Sequence, residues 1–283
     1  MTTTGDPAGS AGAAVGGRLA RAAMFAAALL AVHVCFASTR AGREIDDASI
    51  DAFSWARDQG ALPLFQLREA VPLALLLAVV AAAVVALTRR RVRQVLAAAA
   101  LLGGVYVLSA VLKRMLVLAG AGIGGEGIGG EPAGSFPSGH TALALAAVVA
   151  LTWLLPRRAL RLVTLGGAAL SVFTAIASVA AFAHRGSDVV GGALLVGAVA
   201  ALLCSHEPAA TAGHRDLGPG VLALVSAGMS AAMLLVAMSR AGSDIAGPLV
   251  LGLTLATTGA VGAVLWEAVP RQNPSSTRRI TVG

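Results

Sequence analysis

Unbroken apolar runs of about twenty residues constrain this chain more than any other feature. They fall at residues 22–38, 71–87, 95–118, 141–155, 162–183, 189–204, 221–238 and 248–265. Each comes near the ~20 residues an α-helix needs to cross the hydrocarbon layer. Only helices and closed barrels can satisfy every backbone polar group there. A barrel would show alternating segments of about ten residues, roughly half the length of these continuous runs. The expected fold is therefore all-α, a polytopic transmembrane helical bundle of eight spans. A mean hydropathy of +0.82, with only 12% charged residues, excludes an ordinary soluble domain. The runs are mostly Ala, Leu, Val and Gly, small residues that let membrane helices approach closely.

In a soluble protein the net charge of +7 would suggest nucleic acid. Between membrane spans it reads as charged loops instead, and no nucleic-acid partner is expected. Lys and Arg set orientation. With the N-terminus inside, Arg18, Arg21, Arg89, Arg90, Arg91, Arg93, Arg157, Arg158, Arg161, Arg215, Arg271, Arg278 and Arg279 lie inside. Arg40, Arg43, Arg57, Arg68, Lys113, Arg114, Arg185 and Arg240 lie outside. Thirteen against eight of the 21 basic residues favours cytoplasmic N- and C-termini in a cell membrane. Residues 1–16, Thr, Gly, Ala and Ser without an apolar period, read as a disordered tail, and 269–283 as a cytoplasmic tail. The segment 39–70 is the one sizeable polar excursion. It reads better as a solvated outer cap with interfacial aromatics than as an amphipathic helix on the membrane.

Two short clusters carry chemistry, and two apolar runs between them return the chain to the same side. The first is FPSGH at residues 136–140, where a Gly-rich loop with tandem GIGGE at 122–126 and 127–131 enters an apolar run. Pro137 fixes the approach, Ser138 can cap a helix, and Gly139 lets a ligand reach the amides of the first turn. His140 follows as a candidate acid or base; an ordinary capped helix start explains this string equally well. The second is HRGSD at 184–188, where Asp188 lies four residues after His184 and can fix its tautomer. Asp188 or Ser187 can also serve as the cap of the next helix. Lys113 is the single lysine beside twenty arginines, at the outer end of a span. Alone it reads as an interfacial residue; beside two histidines it reads as a cation for phosphate oxygens.

The residues at these positions resemble the type 2 phosphatidic acid phosphatase (PAP2) superfamily of membrane phosphatases. Pro137, Ser138, Gly139 and His140 complete its second block, His184 and Asp188 end its third, and Lys113 begins its first. The resemblance covers about residues 20–205, a six-span core at 17–205 with two additional spans within 206–268. It implies a reaction without metal or other cofactor: His184 attacks phosphorus, Asp188 orients it, and His140 protonates the leaving group. Lys113, Ser138, Gly139 and Arg185 would bind the phosphate. The implied substrate is a lipid phosphate or polyprenyl (pyro)phosphate, presented at the extracytoplasmic face. Gly120 and Ala121 stand where the first block has Arg-Pro, and Ala177 and Ser178 where the third has Ser-Arg. Arg185 is the better candidate to compensate, since Arg114 would point about 100° away from Lys113. The missing arginines also leave open a degenerate relative that binds, transports or scaffolds lipids. His206 and His214, with no HExxH pattern or Cys partner, do not suggest a metal site.

Overall fold

The computed structural model describes residues 7–118, 135–204 and 246–268. All regular structure among them is helical, as the apolar runs require. Helix α1 (Pro7–His33) ends in a π-turn (Val34–Ser38), and three short helices follow: α2 (Arg40–Asp51), α3 (Ser54–Asp58) and α4 (Leu62–Phe65). Then come α5 (Leu67–Thr88), α6 (Val92–Leu118), α7 (Gly139–Leu154), α8 (Leu160–Ala180), α9 (Gly186–Leu203) and α10 (Ala246–Ala268). Six segments among the described residues are long and apolar enough to cross a membrane, and α7 is a shorter apolar helix. The expected span at 221–238 and the GIGGE loop lie outside the described residues.

Helix α7 is the axis of the bundle. Its residues from Ala144 to Leu154 are all buried, and α5, α6, α8 and α9 pack around it. Sixteen residues rise only about 24 Å, a length tolerable for a helix enclosed by protein rather than lipid. By contrast α5 and α6 turn Leu73, Leu77, Val80, Tyr106 and Met115 outward, as lipid-facing helices should. Their buried residues form one stripe each: Pro72, Leu75, Val79, Ala82 and Ala86 on α5, and Ala98, Leu101, Val105 and Ser109 on α6. These spacings of three and four residues are the period of a helix packed on one face.

The Arg-rich end of the bundle is closed by side chains. Arg91 Nη1 donates to the Leu154 carbonyl at 2.9 Å, satisfying an orphan acceptor at the end of α7. Trp153 Nε1 donates to Ala268 O at 2.8 Å, and Arg21 pairs with Glu267 at 3.1 Å. Through these contacts α10 is built into the bundle, packed along α8 and α9.

Two expectations are corrected. Residues 7–16, read as part of a disordered tail, continue helix α1; the nucleus is supplied by the apolar run that follows, so extension requires only propagation, with Pro7 in the first turn where its missing N–H is tolerated. The outer segment is not a solvated cap. Asp46, Ser49, Ile50, Phe53, Ala56 and Phe65 are buried, and Phe65 meets Phe53 and Trp55 edge-on at 6.5 and 6.0 Å. The apolar and small residues of α2 and α3 recur at helical spacing, so this segment folds back onto the bundle.

Close approach at the opposite end depends on Gly192 of α9. A Cβ there would lie 2.6 Å from the Ser138 carbonyl oxygen, a backbone atom that cannot swing aside. Gly192→Ala should push the 136–140 segment off α9 and cost about 1–3 kcal/mol, as overpacking does. A thermal melt in detergent checks this; an unchanged midpoint would contradict the packing described.

Candidate functional site

The site forms where the chain enters α7 and α9. Ser138 is the N-cap of α7: it is fully buried, and its hydroxyl accepts from Thr141 N at 3.5 Å and from Thr141 Oγ1 at 3.2 Å. Its amide donates to Asp188 O at 2.8 Å, tying the strap before α7 to the first turn of α9. Phe136 anchors the strap further, packing against the His33 ring with centroids 4.9 Å apart. Ahead of α9, His184 N donates to Ser178 O at 3.2 Å. Phe182 holds a left-handed φ of 59°, strained for a bulky residue, with Arg57 stacked 4.4 Å over its ring.

This arrangement brings His140 and His184 together, with ring centroids 6.1 Å apart and planes inclined at 63°. Both are recessed; the His184 side chain is 9% exposed. Its Nδ1 faces Asp188 Oδ2 at 3.5 Å, an ion-pair distance too long for a good hydrogen bond, and Nδ1 makes no hydrogen bond among the described residues. Asp188 Oδ2 instead accepts a short bond from Ser135 Oγ and one from Arg185 N at 2.9 Å. The N-cap of α9 is Arg185, not Ser187 or Asp188 as one reading of the sequence had it; Asp188, at the third helical position, caps back to the Arg185 amide and is also the carboxylate beside the histidine.

The outer segment completes the frame. The N-terminal amides of a helix lack intrahelical partners, and those of α9 are met by α2. Ser187 N and Oγ donate to Asp46 Oδ1 and Oδ2 at 2.8 and 2.6 Å, and Gly186 N donates to Ser49 Oγ at 3.2 Å. Arg185 Nε donates to Asp47 Oδ1 at 2.8 Å. The guanidinium singled out as compensation for the absent motif arginines thus points to the outer segment in this structure. Burial pushes the Asp46 carboxyl up to about 6, the nearby Asp188 charge adds to the rise, and the Ser187 hydrogen bonds and Arg185 oppose it.

One cation reaches the start of α7, and a second acts on it through its charge. Lys113 follows Ser109 by one turn on the packing stripe of α6, and its Nζ is 4.0 Å from where a Cβ on Gly139 would stand. Arg68 precedes Pro72 by one turn on the stripe of α5. The charges of His184, Arg68, Glu69 and Lys113 all act on His140. Arg114 is exposed, as its helical position requires. Sequence reasoning missed Asp46, Ser49, Ser135, His33 and Arg68 as neighbours of the site. The helical spacing of residues 46, 49, 50, 53 and 56 was the available signal for the first two.

A family model described as PAP2 superfamily matches residues 95–210. The match begins within α6 and runs past α9, so it contains Lys113, Ser138, His140, His184 and Asp188, and leaves α1–α5 outside. It places the segment with membrane proteins of phosphatase type, on a helical fold with spans to match. No curated protein and no solved structure matches the chain.

Removing the α2 acceptor tests the outer segment's place beside the two histidines. Asp46→Ala would leave the Ser187 amide and hydroxyl unpaired in a buried setting, at about 1–3 kcal/mol for each stranded group. The native carboxyl titrates above its ordinary value, so its protonated form is the one the fold favours. That contribution is complete below about 4 and is lost as pH rises through about 6. Stability, followed by the melting midpoint, should therefore decline mainly between about pH 4 and 6, by on the order of 2–3 kcal/mol at most, and Asp46→Asn should flatten that decline.

Proposed function

We propose that the protein hydrolyses a phosphomonoester or pyrophosphate of a membrane lipid through a phosphohistidine on His184. The observation that carries this reading is the pairing of two recessed histidines at one helix end, one backed by a buried carboxylate, with Lys113 beside them. With Nδ1 turned toward Asp188, the lone pair on Nε2 is left for the substrate. That lone pair forms the P–N bond as the P–O ester bond breaks, and protonated His140 gives its proton to the departing alkoxide. His140, now neutral, takes a proton from water; the hydroxide attacks phosphorus, the P–N electrons return to Nε2, and inorganic phosphate leaves.

Lys113 and the first turn of α7, opened by Gly139, hold the phosphate oxygens. The α9 amides are occupied by Asp46 and Ser49, which favours the α7 end for the anion. Ser138 acts by capping α7 rather than through a free hydroxyl. Arg185 contributes less, because its partner Asp47 must release it; that pair is partly solvated and individually weak. The substrate class follows from placement: a lipid head group meets a site at the end of a membrane bundle without leaving the bilayer. The excess of arginine at the opposite end favours cytoplasmic termini and a site facing outside.

A second reading, a lipid-binding relative without turnover, is favoured by one observation: neither Gly120 nor Ser178 supplies the arginine expected there. Phosphate release from lipid phosphates and pyrophosphates, by the full chain in detergent with EDTA present, separates the two. The parent chain should turn over and His184→Ala should not. Asp188→Asn should fall by about 10² to 10⁴-fold. Release by His184→Ala equal to the parent would refute the phosphohistidine route.

A further inference from the structure

We propose that Arg68, on α5 and outside the matched PAP2 segment, supplies the guanidinium that grips the substrate phosphate in place of the arginines absent at positions 120 and 178. The inference rests on reading the site as a phosphatase and adds to it a residue that no motif marks.

Three independent features point there. The first is position. Arg68 lies one turn before Pro72 on the buried stripe of α5, through Pro72, Leu75 and Val79, and α5 packs against α7. Lys113 continues the corresponding stripe of α6 and brings its Nζ to 4.0 Å from where a Cβ on Gly139 would stand, and the charges of both cations act on His140. The second is burial: the Arg68 side chain is only 11% exposed. An arginine that merely snorkels keeps its head in water; this one does not.

The third is unmet hydrogen-bonding capacity. Nη2 contacts Glu69 Oε1 at 3.2 Å, and Glu69 is itself 61% exposed. Nε and Nη1 are buried with no hydrogen-bond partner among the described residues. A guanidinium stays charged at any ordinary pH, so its buried N–H groups cannot be relieved by losing a proton. Buried donors without partners are costly and mark a place where something else binds. A phosphate between His140 and His184 would bring the required oxygens.

The test uses the full chain in detergent, with orthovanadate as the phosphate mimic and thermal melts of every variant. Arg68→Gln should weaken vanadate inhibition and lower kcat/KM by about 10² to 10³-fold, the usual loss for one preorganised donor. Arg68→Lys should recover part of this, added methylguanidinium should restore Arg68→Ala, and Arg185→Gln should change either value by less than tenfold. Vanadate inhibition and kcat/KM in Arg68→Gln within about threefold of the parent would overturn the assignment, whatever the parent's activity. Should Arg68→Gln not fold, Arg68→Lys decides, and vanadate affinity equal to the parent's would overturn it. A parent that binds vanadate without turnover lets the same comparison be read by thermal protection: loss in Arg68→Gln supports the assignment, and retention overturns it. A parent that neither turns over nor binds vanadate removes the phosphatase reading itself, and the Arg68 proposal with it.

Discussion

One buried carboxylate, Asp188, joins the pieces of chain from which the site is made. Its side chain takes the Ser135 hydroxyl from the strap before α7 and the Arg185 amide from the turn before α9, and it faces His184. Its backbone carbonyl receives the Ser138 amide. A carboxylate removed from water is tolerable only when donors surround it, so the strap, the α9 turn and the histidine are held as one unit. Tight packing lets that unit form: without a side chain at Gly192, the Ser138 carbonyl comes against α9.

Around this centre the bundle separates two kinds of work. Helices α5 and α6 face lipid with one side and present a narrow stripe to α7 with the other, and the stripe of α6 leads to Lys113 beside Gly139. Helix α2 closes the front, giving its acidic and hydroxyl side chains to the first amides of α9. The outer segment is thus structural support for the histidine turn, and Arg185 serves that support through Asp47. The opposite end is locked by Arg91, Trp153 and the Arg21–Glu267 pair, contacts that bring α10 into the same packed body as the matched segment.

Much of the site could be read directly from the chain. Ser138 with His140, and His184 with Asp188, lie within two short clusters at the starts of apolar runs, Lys113 lies near the end of another run, and short-range order survives folding unchanged. Arg68, Asp46, Ser49 and His33 carry no such mark, because each reaches the site across a helix interface from more than forty residues away in the chain. Arg185 shows the converse. Adjacent to His184 in sequence, it was the natural substitute for a lost arginine, yet a turn sends neighbouring side chains in different directions.

The apolar runs by themselves determined a membrane-spanning helical bundle, since lipid offers backbone groups no other partner than their own helix. The polar clusters at the run ends determined which chemistry could gather at one face. Only the tertiary structure decided which helix faces meet α7 and that the 39–70 segment folds back onto the bundle and meets the first turn of α9. Helical period tells which residues share a face, but not which neighbour that face will find; that choice belongs to packing between distant segments.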